Sequence, residues 1–115
     1  MPIAARYVFM VSMDAAPEKE DLFNEVYDGD HIPNLLKVPG VLSVTRVRSE
    51  PFALSLGGER KEMAAASPRY TAIYELESAE VLASEAWGRA VEAGRWPGEV
   101  RPFTTNRRHI LGKVL

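Results

Sequence analysis

The segment Tyr27–Val47, with the sequence YDGDHIPNLLKVPGVLSVTRV, holds the signals that decide the fold. Gly29 is expected to end one helix, and Asp30 is expected to cap a second, short helix directly after it. The Pro39–Gly40 pair then predicts a turn. After this turn, alternating and mostly β-branched residues predict a strand over Val41–Ser49. The segment therefore joins a helix to a strand, and the elements on either side complete the architecture.

Upstream of this segment the chain predicts a strand followed by a helix. The run Ala4–Met13 is rich in Tyr, Val, Phe and Met, and both of its alternating faces are apolar. A strand with two apolar faces needs cover on both sides, so we expect helices on one face and a second copy of the chain on the other. Pro17 and the acidic residues after it are typical of a helix start, and this helix is expected to continue to Tyr27.

Downstream of this segment the pattern is less regular at first and then repeats. Glu50–Pro68 is expected to be a long irregular connection, with a short helix over Lys61–Ala66 as the alternative. Arg69–Leu76 alternates and predicts a third strand. Ser78 is expected to cap a second amphipathic helix, which Gly94 ends.

The C-terminal part completes a familiar order of elements. Trp96–Gly98 predicts a loop, and a last strand is expected over Val100–Leu115, with Gly112 as the point where it can bend. The elements then follow the order β-α-β-β-α-β, which is the ferredoxin-like arrangement. We therefore predict an α+β fold with a four-stranded antiparallel sheet, formed by one domain over residues 1–115.

Composition and charge exclude several classes of function. The chain has 115 residues, of which 46% are hydrophobic and 26% are charged, as in an ordinary soluble globular protein. Its net charge of -2 argues against a general nucleic-acid binder. Without cysteine it has no thiolate metal ligand and no cysteine nucleophile. The apolar N-terminal run is short and interrupted by Arg6, and no stretch is long enough to span a membrane, so we expect a cytoplasmic protein without a membrane partner.

The residues Tyr27–Val41, YDGDHIPNLLKVPGV, resemble the dimeric α+β-barrel superfamily. The resemblance is strongest to its EthD-like branch, in which a Tyr-x-x-x-His-x-Pro-x-Leu segment leads to a Pro-Gly turn and an arginine-bearing strand. This chain differs from the commoner pattern at Asp28, where asparagine is expected, and at Asp30, where an aromatic or small residue is expected. Its last strand also carries the polar run Asn106–His109 in place of an apolar end.

The resemblance implies both an assembly and a range of activities. It implies a homodimer in which two sheets pack face to face into a closed barrel. It also implies a small cofactor-independent enzyme that uses acid–base chemistry on an aromatic or polyketide-like compound, as an isomerase, cyclase, dehydratase or monooxygenase. Other proteins that resemble it are accessory or stress-response proteins without assigned chemistry, so a protein that only binds a small molecule is the alternative. Haem or peroxide chemistry, known among relatives of this fold, is a third possibility.

His31 is the first candidate for catalysis. It lies at the start of the predicted short helix, from which its ring can project between the helices and the sheet. Its ordinary pKa near 6.5 suits acid–base chemistry at neutral pH. Asp28 and Asp30 can orient it or raise its pKa, whereas its position at a helix start can disfavour the protonated form. We therefore predict His31 and Asp30 as catalytic residues, with a structural role for His31 at the helix break as the alternative.

Aromatic and cationic residues on the predicted strands and helices are candidates for ligand binding. They are Tyr7, Phe9, Tyr27, Arg46, Tyr74, Trp87 and His109. Arg46 can bind a carboxylate or enolate oxygen, although a salt bridge to the preceding helix or a dimer contact is the simpler alternative. The aromatic residues can equally belong to the core, and His109 to an interface. The spacing of the two histidines matches no metal-ligand motif, so no metal is expected.

Overall fold

The computed structural model describes residues 3–115 and contains a four-stranded antiparallel sheet with a separate two-stranded hairpin. The strands are β1 (Tyr7–Ala15), β2 (Val41–Arg48), β3 (Phe52–Leu56), β4 (Glu59–Met63), β5 (Tyr70–Leu76) and β6 (Thr104–Lys113). The main sheet has the order β2-β5-β1-β6, and β3 pairs with β4. Counting the main-sheet strands along the chain gives the order second, third, first, fourth, as in the ferredoxin-like arrangement. The predicted α+β class and four-stranded antiparallel sheet are thus confirmed.

The helical elements are short and several are not regular α-helices. The α-helices are α1 (Glu20–Val26), α2 (Ile32–Leu36) and α3 (Glu85–Val91). Turns of 3₁₀-helix occupy Pro17–Lys19, Ala79–Ala83 and Arg101–Phe103, and π-helical turns occupy Tyr27–His31 and Trp96–Val100. No helix among residues 3–115 is both long enough and apolar enough to cross a membrane.

The core lies between one face of the main sheet and the helices. Alternation along β1 and β5 places most of their buried residues on this face, grouped as the sequence pattern predicted, whereas the buried Val8 lies on the other face. The residues on the covered face are Phe9, Val11, Met13, Tyr70, Ala72, Tyr74 and Leu76. Phe23 and Val26 of α1 and Leu35 of α2 pack against them and are almost completely buried. The helices therefore cover this face of the sheet, where the cavity described below is found.

The opposite face of the main sheet keeps apolar side chains exposed. Pairing places Met10 opposite Ile73 and Ile110, and Thr71 opposite Val47, on this second face. Val47 and Ile110 are 47% and 44% exposed. The sheet thus has one face that the helices cover and one partly apolar face that stays open.

The connection between β2 and β5 contains two paired strands, which corrects the prediction of an irregular or helical segment over residues 50–68, although residues 64–69 have no regular structure. The two strands form the hairpin β3–β4, in which Gly57 and Gly58 have φ values of 62° and 80°. Two consecutive residues with positive φ are typical of the type I′ turn, whose twist matches that of paired strands. The alternation of Phe52, Leu54 and Leu56 before the two glycines is the signal that the sequence interpretation overlooked.

Gly29 does not end a helix, and Asp30 does not cap a new one. The chain passes from α1 through the π-helical turn Tyr27–His31 directly into α2, and the N–H of Ile32 donates to the carbonyl of Tyr27. Because this bond continues the helical hydrogen bonding with one extra residue, no cap is needed. Pro33 lies in the first turn of α2, where a missing N–H is tolerated.

The helix that was predicted to start after Ser78 is α3, and it begins later, at Glu85. Ser78 precedes the 3₁₀ turn without a side-chain cap, whereas Ser84 caps α3 by accepting a hydrogen bond from the N–H of Trp87 at 3.1 Å. The predicted loop at Trp96–Gly98 is part of a π-helical turn. Gly94, with a φ of 69°, lies in the turn after α3, as predicted.

The last strand begins at Thr104 rather than at Val100 and does not bend at Gly112. Its irregularity lies closer to its start. Ser12 pairs with Arg108 and Asp14 with Thr105, so that residues 106 and 107 both face residue 13 of β1. This β-bulge contains Asn106 with a φ of 55°.

Candidate functional site

A cavity of about 250 Å³ lies between the covered face of the sheet and the helices. This volume is slightly below the roughly 300–1,000 Å³ that is usual for ligand pockets, so it suits a small molecule. Part of its wall is aromatic, formed by Phe9, Tyr74 and Trp87 with ring centroids 5.6 to 5.9 Å apart. Tyr27 and His31, both from the π-helical turn, complete this part of the wall.

His31 is buried in this wall with 5% of its surface exposed. Its ring stacks on Trp96, with centroids 4.3 Å apart and planes at 13°. It packs edge-to-face with the ring of Tyr27, with centroids 4.9 Å apart. The π-helical turn brings this side chain inward, and such turns are frequent at functional sites. Its Nδ1 atom is buried and has no hydrogen-bond partner among residues 3–115.

The environment of His31 lowers its pKa instead of raising it. Burial is the main cause and the charge of Arg101 the second, while Asp30 opposes them weakly, and the pKa falls to about 4. A desolvated imidazole loses the hydration that stabilises its protonated form. His31 is therefore neutral at pH 7, and the upward shift expected from the two aspartates does not occur.

Asp30 lies outside the cavity wall and has a different partner from the one predicted. Its Oδ2 accepts a hydrogen bond of 2.9 Å from the backbone N–H of Arg95. It also lies directly against Gly94, where an added Cβ would collide with its carboxylate. Asp30 thus joins the π-helical turn to the turn after α3, a positioning contact, and the predicted pairing with His31 is absent among the residues that the structure describes.

Tyr27 and Tyr74 form a hydroxyl pair at the cavity. Their Oη atoms are 2.5 Å apart, and both side chains are buried. Burial raises the pKa of Tyr27 to about 12 and raises the pKa of Tyr74 as well, so both are neutral at pH 7. Since one hydroxyl donates to the other, the proton of the accepting hydroxyl remains available for a ligand oxygen.

The structure brings together most of the predicted binding residues, together with His31. Those that line the cavity are Phe9, Tyr27, Tyr74, Trp87 and His109. His109 stacks on Phe9 with planes at 18° and centroids 5.9 Å apart. The ring of His109 therefore extends the aromatic wall toward β6.

Tyr7 and Arg46 do not line the cavity, which corrects two predictions. Tyr7 packs half-buried at the edge of the core. Arg46 donates to Asp28 at 2.9 Å and to Asn24 at 2.7 Å, and lies over the ring of Tyr27. These contacts support the alternative of a salt bridge to the helical segment.

Among the aromatic and cationic residues that line the cavity, the sequence interpretation missed three: Trp96, Arg101 and Arg107. Trp96 was assigned to a loop, and no sequence signal places it against His31. Arg101 lies in the 3₁₀ turn before β6, and Glu92 holds its guanidinium by two hydrogen bonds of 3.0 and 2.8 Å. Of these residues, only Arg107 could have been found from the sequence, because it alternates with His109 on the same strand.

Across residues 3–115 no group of three or more histidine, aspartate or glutamate side chains is placed to hold a metal ion. The acidic residues nearest to His31 in sequence are engaged elsewhere, Asp28 by Arg46 and Asp30 by the backbone of Arg95. The polar groups that do line the cavity are imidazole, phenol, indole and guanidinium.

The sequence matches no family model and no curated protein. Among solved structures, the chain is similar to an ethyl tert-butyl ether D (EthD) family protein from Bacillus halodurans. The TM-score is 0.53 at 17% sequence identity, over 95% of this chain and 99% of that chain. At this identity the similarity shows a shared fold, and it confirms the EthD-like fold that the Tyr27–Val41 motif predicted.

Proposed function

We propose that the cavity binds a small planar oxygenated molecule, aromatic or polyketide-like, and that the protein acts on it by cofactor-independent acid–base chemistry. The observation that carries this proposal is that His31, whose side chain lines the cavity, has a buried Nδ1 without a hydrogen-bond partner among residues 3–115. Buried polar atoms nearly always have partners, and one without a partner costs roughly 1–3 kcal/mol. Because Nδ1 is buried, a ligand that removes this cost by hydrogen-bonding to it must displace the side chains that cover it.

The chemistry follows from two neutral groups. In the tautomer that carries its proton on Nε2, His31 presents Nδ1 as an acceptor. A ligand O–H, or a C–H next to a carbonyl, transfers its proton to Nδ1, and the negative charge that remains on the ligand oxygen accepts a hydrogen bond from the Tyr27–Tyr74 pair. Because a pKa of about 4 makes His31 a weak base, an acidic phenol or enol suits this site better than a simple ketone.

A protein that binds such a molecule without converting it is the second candidate. The observation in its favour is that His31, Tyr27 and Tyr74 are all neutral at pH 7, because burial disfavours the charged form of each. Neutral donors and acceptors in an aromatic wall are sufficient to hold and orient a ligand.

Ligand binding tests the proposal through two substitutions of His31. His31→Phe keeps the stacking on Trp96 and removes both nitrogens, whereas His31→Asn keeps a hydrogen-bonding group near the position of Nδ1. A thermal-shift screen of naphthols, quinones and aromatic acids should find ligands that stabilise the wild type and His31→Asn but not His31→Phe. Each ligand is then incubated with the protein and its product analysed by mass spectrometry.

The outcomes separate the two candidates from each other and from a purely structural role. Conversion by the wild type that His31→Phe abolishes supports the enzyme. Binding without conversion supports the binding protein. Equal stabilisation of all three proteins by every ligand would contradict a role for His31 in the site.

We also propose that the open face of the sheet packs against a second copy of the chain. The exposed apolar side chains of Val47 and Ile110, with Met10 and Ile73 between them, support this assembly. A contiguous apolar patch on a sheet is typical of a protein–protein interface.

A further inference from the structure

Arg107 is a cavity residue without a counter-charge. It is exposed at the cavity, and no carboxylate among residues 3–115 lies within salt-bridge distance of it. The other arginine of the cavity, Arg101, is already paired with Glu92. The cavity therefore presents one uncompensated positive charge, which a ligand can pair.

The backbone that presents Arg107 is held in a specific conformation. Arg107 belongs to the bulge of β6, next to Asn106 with its φ of 55°. Asn106 Nδ2 donates to Asp14 Oδ2 at 2.8 Å, and Asp14 Oδ1 accepts from the N–H of Arg69 at 2.7 Å. Bulges are frequent beside functional sites, where they redirect a side chain. The contact with Asp14 thus fixes the bulge that carries Arg107.

The surroundings of Arg107 are aromatic, which restricts the kind of anion. His109, two residues after Arg107 in β6, stacks on Phe9 and forms a flat wall. Arg107 lies opposite residue 13 on one side of β1, and Tyr74 lies opposite Phe9 on the other side. The positions of Arg107 and Tyr74 are therefore separated by four residues along the strand direction, about 13 Å, and by two strand spacings across the sheet, about 10 Å. An anionic group at Arg107 and an oxygen at Tyr74 must therefore lie at opposite ends of a planar ligand.

We infer that Arg107 binds the carboxylate of an aromatic acid, whose ring lies along Phe9 and His109 and whose hydroxyl or enol oxygen reaches the Tyr27–Tyr74 pair. Arginine pairs with carboxylates through two parallel hydrogen bonds, which fixes the orientation of the ligand. This inference rests on the proposed function and specifies the class of ligand.

Isothermal titration with matched acid and ester probes tests the inference. The probes are 4-hydroxybenzoate, 6-hydroxy-2-naphthoate and their methyl esters, which keep the ring and hydroxyl and remove the charge. The wild type should bind an acid at least about tenfold more tightly than its ester, as expected for a charge-assisted hydrogen bond. Arg107→Gln should remove this preference and leave the affinity for the ester unchanged.

Arg108→Gln is the matched control. Arg108 is the adjacent residue, is also exposed and unpaired among residues 3–115, but lies on the opposite face of the sheet. It should leave the preference for the acid intact. Equal losses in Arg107→Gln and Arg108→Gln, no preference for the acid in the wild type, or no binding of any of these probes would each overturn the inference.

The same titrations distinguish this inference from the proposed function. If His31→Phe weakens the binding of acid and ester alike while Arg107→Gln changes neither, the cavity is the ligand site and Arg107 is not its anion-binding group. If the wild type binds none of the four probes but is stabilised by neutral quinones or naphthols through His31, the proposed function stands and the aromatic acid is excluded.

Discussion

The stability of the protein should fall as the pH is lowered from about 7.5 to 5, and His31 should be the cause. The ring is 5% exposed, and its pKa falls from 6.5 to about 4 on folding. Between these two values the unfolded chain binds a proton that the folded protein does not, so acid favours unfolding. A shift of this size corresponds to about 3 kcal/mol, of which about 2 kcal/mol is lost by pH 5.

Urea denaturation followed by circular dichroism at pH values from 7.5 to 5 measures this loss. The wild type should lose about 2 kcal/mol of unfolding free energy over this range, whereas His31→Phe should lose little, because its ring takes up no proton. His109→Asn, which removes the other histidine and keeps His31, should lose as much as the wild type. The two variants thus assign the proton to one side chain.

Two carboxylates also contribute to the pH dependence of the unfolding free energy. Hydrogen bonds from Asn106 and Arg101 lower the pKa of Asp14 and of Glu92 respectively. Protonation of these groups also destabilises the fold, but mainly below the range of the measurement. The quantity of interest is therefore the difference between variants. The same loss in His31→Phe as in the wild type, or its disappearance in His109→Asn, would refute the burial of a neutral His31.

Two further predictions concern the hydroxyl pair and the assembly. Tyr27→Phe and Tyr74→Phe should each lower the unfolding free energy by roughly 1–3 kcal/mol, since each leaves a buried hydroxyl unpaired, and the double variant should lose less than the sum. Additive losses in urea denaturation would show that the hydroxyls are not coupled. Light scattering should give twice the mass of the 12.8 kDa chain. Ile110→Asp should give a monomer, and Leu36→Asp, an equally exposed leucine on α2, should leave the dimer intact. A wild type that is a monomer at micromolar concentration would contradict this assembly.

Local pattern was sufficient for most of the fold. The alternation along β1, β2 and β5 predicted these strands and which residues share a face, because a strand sends successive side chains to opposite sides. Which face the helices cover was left open. The hairpin β3–β4 carried an equally clear signal in Gly57–Gly58 and the residues before it, so that error was one of interpretation. Gly29 is a different case. A glycine permits a helix to end but does not require it, and here the chain continued through a π-helical turn.

The candidate site could be predicted only in part. Phe9, Tyr74 and His109 line the cavity, because strand alternation determines their face, and their role in ligand binding stays a prediction. Arg46 has the same kind of pattern and was wrongly included, since alternation gives the face and not the position along it. Trp96 was missed, because its contact with His31 joins residues far apart in sequence.

The segment Tyr27–Val47 shows how sequence and tertiary structure divide the outcome. Its sequence determined a helix that leads through a Pro-Gly turn into a strand, since helical and strand patterns and turn residues act within a few neighbouring positions. Tertiary structure alone decided the chemical state of His31. Trp96 from a distant part of the chain buries the ring, and Arg101 adds a positive charge, so the pKa falls to about 4. Desolvation and charge depend on neighbours in space, and the two aspartates near His31 in the sequence predicted the opposite shift.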